Sequence, residues 1–231
     1  MNFLKIKNFL LVFLIIFSYL ISVVKTYAVD ITADRTISSS SDGDQYNIKT
    51  NNDIDVIVTN NSTLERNQKI FNVSAASLTG SSITIHLGSS VIAETNSIFS
   101  NGAELTITNT GTIEATNSKA INVSNSDGVS ITNNNNGVIK SNNNTILGDA
   151  GTGADNVTID NSGEIYTTAT GTESSAIVFA NNDTGNTITN NSGGEIYSSG
   201  SESTIVLGVS STLTNSGSIK NNKSVTNKAI Q

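Results

Sequence analysis

The side chains best suited to chemistry are two glutamates, Glu164 and Glu195, set in the near-identical strings "NSGEIY" and "SGGEIY". Carboxylates stacked together repel, so one can keep its proton toward neutral pH and serve as a general acid or base. The bland reading is a solvated outward row, because acids such as Glu114, Glu164 and Glu195 recur one or two per repeat along the chain. His86, in "IHLGSS", is the only imidazole; one His is a weak ligand set, and it reads as a turn residue standing where related segments carry Asn. With no Cys in 231 residues, a disulfide framework and any Cys/His metal site are excluded. No metal or cofactor is expected.

The elements that position these groups begin after residue 28. Lys5 and Lys7 precede the apolar run "FLLVFLIIFSYLISVV", and Thr26 and Ala28 follow as small residues. This pattern predicts a signal peptide over residues 1–28, cleaved between Ala28 and Val29. As an uncleaved anchor the 16-residue run is short, since a membrane span needs about 20 apolar residues. Cleavage therefore leaves no stable membrane span. It also removes three Lys and no acids, taking the net charge from −7 to −10. A nucleic-acid partner would need a basic surface and is not expected.

The rest is a repeat. Asn109, Asn135, Asn161, Asn191 and Asn215, taken as the central Asn of Asn-x-Gly-x-Ile motifs, lie 26, 26, 30 and 24 residues apart, a solenoid period. Each repeat offers a first alternating segment (Leu105/Ile107, Val129/Ile131, Val157/Ile159), a second apolar position (Ile113, Ile139, Ile165, Ile196, Ile219) and a third cluster ("AINV", "TILG", "AIVF", "TIVL"). Short β-branched runs divided by Asn, Gly and Ser predict strands and turns, and no segment after the signal has helical periodicity. Three strands per period predict an all-β chain, a right-handed parallel β-helix of about seven to eight coils. Residues 54–231 hold the repeats, ending mid-coil, and 29–53 form an N-terminal cap or first degenerate coil.

Such coils must stack to fold. Half a dozen inward side chains bring about 1.5–3 kcal/mol each, against about 1–2 kcal/mol of backbone entropy for every residue fixed. At the bend between the first and second strands, Gly111, Gly137, Gly163, Gly193 and Gly217 are expected to supply left-handed backbone angles. The five motif asparagines are expected to bond one another coil to coil as a ladder, at about 1 kcal/mol per rung.

The strings "ITNTGTI", "IDNSGEI", "ITNNSGGEI" and "LTNSGSI", over residues 54–231, resemble the passenger domains of bacterial autotransporters of the adhesin and surface-antigen type. The resemblance implies an exported, non-catalytic protein. It would stand at the cell surface, associated with the outer membrane or secreted, with a host-surface or extracellular ligand as partner. Its members end in an outer-membrane barrel, and no run of amphipathic strands follows here. The chain is thus expected to be a fragment, a split or decayed gene product, or a small relative whose translocator is separately encoded or lost. Without a translocator it would be periplasmic.

Two alternatives stand beside this reading: a carbohydrate-active β-helix enzyme and a secreted disordered chain. As resemblance to β-helix lyases and hydrolases would have it, such enzymes need a basic residue facing calcium-binding acids, or clustered Asp. Neither pattern occurs, and the two arginines, Arg35 and Arg66, fall in degenerate coils. "GTGAD", Gly151 to Asp155, echoes one calcium-binding β-roll nonapeptide, but those sites need consecutive copies. A Gly-rich turn is the simpler reading. Asn-x-Ser/Thr triplets, at Asn72 and Asn122 for instance, are expected by chance in so Asn-rich a chain. The widest departure from the repeat is "YTTATGTESSA", which stretches the arc from Ile165 to Ile177 to twelve residues, against eight from Ile113 to Ile121. Loops on rigid scaffolds carry contacts, so Tyr166, Thr170 and Glu173 are the candidate contact residues.

Overall fold

The computed structural model describes residues 28–49, 53–59, 61–74, 78–102, 104–148, 153–222 and 229–231. Residues 1–27, which hold nearly all of the anticipated signal peptide 1–28, lie outside them; Ala28 and Val29 open the strand Ala28–Ile31. The described chain is all strand and turn, coiled as a parallel β-solenoid of about seven turns. No helix among the described residues is long and apolar enough to cross a membrane.

Three eight-stranded sheets run the length of the rod. The first sheet holds the strands that precede each Asn bend, such as Thr158–Asn161. The second holds those that follow it, such as Glu164–Thr167, and the third the closing strands, such as Ile177–Val178. All pairing is parallel and joins equivalent positions of successive coils, as in Ile131↔Ile159↔Ile188. Residues 28–48 add one strand pair to the third sheet and one strand each to the other two, in the same registers. The segment anticipated as a cap or degenerate coil is thereby continuous with the rest.

Period-2 alternation decides which side chains turn inward. In the first sheet Ile83, Ile107, Ile131, Ile159 and Ile188 stack as one column. In the second sheet Val91, Ile113, Ile139, Ile165 and Ile196 form another. In the third, Phe71, Ile98, Ile121, Ile146, Ile177 and Ile205 form the last. Every one of these side chains is buried. β-branched side chains suit this packing because one stiff rotamer serves each coil, and coils about 4.8 Å apart put every methyl against its counterpart. Toward the C-terminal end Leu213 and Ile219 are only partly covered.

Candidate functional site

The recurring asparagines build an internal ladder. Asn109 Nδ2 donates to Asn133 Oδ1 at 2.9 Å, and Asn133 to Asn161, Asn161 to Asn190 and Asn190 to Asn215 at 2.8 Å each. The first four are fully buried. Each Nδ2 also approaches the carbonyl of its own bend glycine, as Asn161 does that of Gly163 at 3.1 Å. Two rungs differ from the motif reading: they are Asn133 and Asn190, not Asn135 and Asn191. Asn135 is exposed. Asn191 faces out of the solenoid, donating to Asp160 Oδ1 and, at 3.0 Å, to Ser162 Oγ.

The difference comes from bend length. Asn109, Asn161 and Asn215 are followed two positions later by Gly111, Gly163 and Gly217, but Asn133 and Asn190 are followed four positions later by Gly137 and Gly194. The longer bends take a left-handed residue just before that glycine, Asn136 at φ 69° and Gly193 at φ 88°. Gly193 therefore shapes its bend, while Gly194 occupies the place held by Gly111, Gly137, Gly163 and Gly217. Those four lack the positive φ anticipated for them. They are glycine for want of space: a Cβ on Gly163 would lie 2.2 Å from the carbonyl oxygen of Gly137, and on Gly217 2.3 Å from that of Gly194. His86 follows Ile85, and it is Ile85 that pairs with Asn109. The imidazole is thus one place beyond the ladder, with Nδ1 3.4 Å from Thr59 Oγ1.

Chemistry-bearing groups gather instead on the outer face of the second sheet. Register sets Glu114, Lys140, Tyr166, Tyr197 and Lys220 in one outward row, with Glu164 over Glu195 in the row beside it. Lys140 Nζ meets Glu114 Oε2 at 2.9 Å, and this carboxylate raises the lysine pKa. Tyr166 and Tyr197 stack with centroids 4.6 Å apart and planes 7° from parallel. Burial raises the Tyr197 pKa, with Glu164 adding to the effect, so its hydroxyl stays a donor and reaches Glu164 Oε2 at 3.3 Å. Glu195 has Lys220 at 3.9 Å. The glutamate pair is in register and exposed, each member with a partner of its own.

The anticipated contact loop divides. Tyr166 belongs to the strand and to the stack above, and Thr170 is exposed. Glu173, at φ 53°, turns back over earlier coils, where its Oε2 accepts from Asn143 Nδ2 at 2.7 Å and meets Lys119 Nζ at 3.3 Å. The Asn143 hydrogen bond, and then Lys119, lower its pKa. Glu202 holds the returning chain by accepting from the Ser174 amide at 3.2 Å.

Of "GTGAD", Gly151 and Thr152 lie outside the described residues. Asp155 accepts from the Thr184 amide at 2.6 Å and donates its own amide to Asp127 at 3.0 Å, so it links three coils. Gly153 packs against the buried Asp183, whose Oδ1 accepts from the Ala154 amide at 3.0 Å and Oδ2 from the Ala180 amide at 2.7 Å. Arg66 replaces the small inward residues of its column, below Ala93 and Ala115. Burial lowers its pKa; it donates to Gln45 Oε1 at 2.9 Å and the Lys69 carbonyl at 3.1 Å.

The tyrosine stack was missed by sequence reasoning, although a signal existed: both "GEIY" strings place Tyr two positions after the stacked Glu. The Glu173 strap had none, its partners lying 30 and 54 residues away. Comparison with models of protein families, with curated proteins and with solved structures gives no match.

Proposed function

We propose that the chain is an exported, non-catalytic contact protein of the autotransporter-passenger kind, acting at the cell surface as an adhesin or surface antigen. The observation carrying this reading is the division of labour in each coil. The recurring Ile, Asn and Gly are buried in core and bends, and the outer face of the second sheet varies from Glu114 to Lys140, Tyr166 and Tyr197. A rigid rod with a variable outer face is what a binding module requires. The apolar segment with its Lys5 and Lys7 and the absence of Cys support export through an envelope.

The test is expression of the full chain, tagged at its C-terminus, in a bacterium with two membranes. The expected product starts at Val29, is found outside the inner membrane and, given a translocator, is cut by protease added to intact cells. A cytoplasmic product retaining Met1 contradicts the reading.

A further inference from the structure

The outward side chains of the first sheet repeat where those of the second vary. One row runs Thr106, Ser130, Thr158, Thr187 and Thr212, and the row beside it Thr108, Thr132, Asp160, Thr189 and Thr214. Between the rows Ile107, Ile131, Ile159 and Ile188 turn into the core, so every strand but that of Asp160 presents two hydroxyls outward. Both rows are exposed or half-buried, and among the described residues their hydroxyls have no partner within the chain. Burial accounts for the recurrence of Ile and Asn but not for this one, and strand propensity would admit Val, Ile or Tyr as readily. The register is unbroken across these strands, whereas the third sheet slips between Phe99 and Asn101.

The result is a two-dimensional lattice, with neighbouring positions about 4.8 Å apart from coil to coil and about 6.6 Å apart along a strand. Threonine is stiff at χ1 and the solenoid fixes the backbone beneath it, so little freedom remains to be lost on binding. Each side chain offers a methyl that orders the water over it and a hydroxyl that both donates and accepts. The one charge, Asp160, already accepts from Asn191 Nδ2, and the two rows hold no cation and no aromatic ring. The face therefore lacks what would hold a charged mineral, a polyanion or a sugar ring. Single hydroxyl contacts are weak, and affinity arises only when a partner with the same two-way repeat makes many of them at once. Crystalline water meets both needs: its oxygens recur in flat rows at spacings of this order, and each donates and accepts. We infer that the outer face of the first sheet binds ice. The inference goes beyond the export reading and does not depend on it.

Partition of the fluorescently labelled full chain into a slowly growing ice hemisphere tests it, with labelled serum albumin as the excluded control. Enrichment in the ice is expected for the parent. Thr106→Lys/Thr158→Lys sets long charged side chains in the array at two exposed positions and should be excluded as albumin is. Thr158→Lys alone, where folding is not at stake, should lower the enrichment. Asn142→Lys adds the same charge at an exposed position off the array and should enter the ice as the parent does. The inference is overturned if the parent is excluded from ice, if the two threonine variants enter it as fully as the parent, or if Asn142→Lys is excluded with them. A parent that stays out of the ice and sediments as a dimer, made monomeric by Thr158→Lys, assigns the face to a second copy of the chain and overturns it too. Retention in the cytoplasm defeats the export reading alone, whatever the ice shows.

Discussion

Asn161 Nδ2 donates to Asn190 Oδ1 at 2.8 Å, joining residues 29 positions apart in one buried column. Every amide in that column donates in the same direction along the rod, so each bond polarises the next. Asn161→Ala strands the Oδ1 of Asn190 and takes the acceptor from Asn133 Nδ2. Asn133 Nδ2 keeps the carbonyls of Gly137 and Glu164, so one buried acceptor is left unsatisfied and a loss of about 1–3 kcal/mol is expected. Asn135→Ala, at an exposed position, should stay within about 0.5 kcal/mol. Urea denaturation midpoints check both.

The bend glycines separate steric from conformational causes. Gly163→Ala sets a methyl 2.2 Å from the Gly137 carbonyl oxygen, which is fixed in the ladder bend. Overpacking against rigid backbone should cost about 3 kcal/mol or more. Gly171→Ala meets nothing within 4 Å and should change stability by no more than about 0.5 kcal/mol. Thermal unfolding of the two variants side by side gives the comparison.

The Glu173 strap should be pH-sensitive with a definite sign. Its pKa is lowered in the folded chain by Asn143 and Lys119, so its contribution is complete above the ordinary glutamate range. That contribution is lost as the pH falls through the folded value. Amide exchange and proteolysis over residues 168–176 should therefore quicken in acid, and Glu173→Gln should be loose already at neutral pH and lack the acid step.

The tyrosine stack should show coupling. A double-mutant cycle on Tyr166→Ala and Tyr197→Ala is expected to return about 0.5–1.5 kcal/mol, the range for aromatic pairs beyond their buried area. Additive effects would mean that the rings only share a surface.

Much of the fold was legible because a solenoid writes its geometry into its period. Ile113, Ile139, Ile165, Ile196 and Ile219 were identified as one column from their places in the repeat, and the pairing unites them. The ladder was harder where Asn runs in series. Within Asn133 to Asn136 only backbone pairing with Asn109 selects Asn133, because the two extra bend residues are indistinguishable by type. The glycines were assigned a left-handed conformation from local rules, whereas their cause is the carbonyl of the coil below, a non-local contact. The strap was illegible for the same reason: Lys119, Asn143 and Glu173 meet only after three coils have stacked.

The central claim is that recurrence builds the scaffold and the outer face of the second sheet makes the contact. Adhesion of the fluorescently labelled full chain to cultured epithelial cells, set against Glu114→Ala/Lys140→Ala/Tyr166→Ala, tests it most directly, with circular dichroism recorded on both. The variant should keep the β spectrum of the parent and lose adhesion. A variant that adheres as well as the parent would contradict the account.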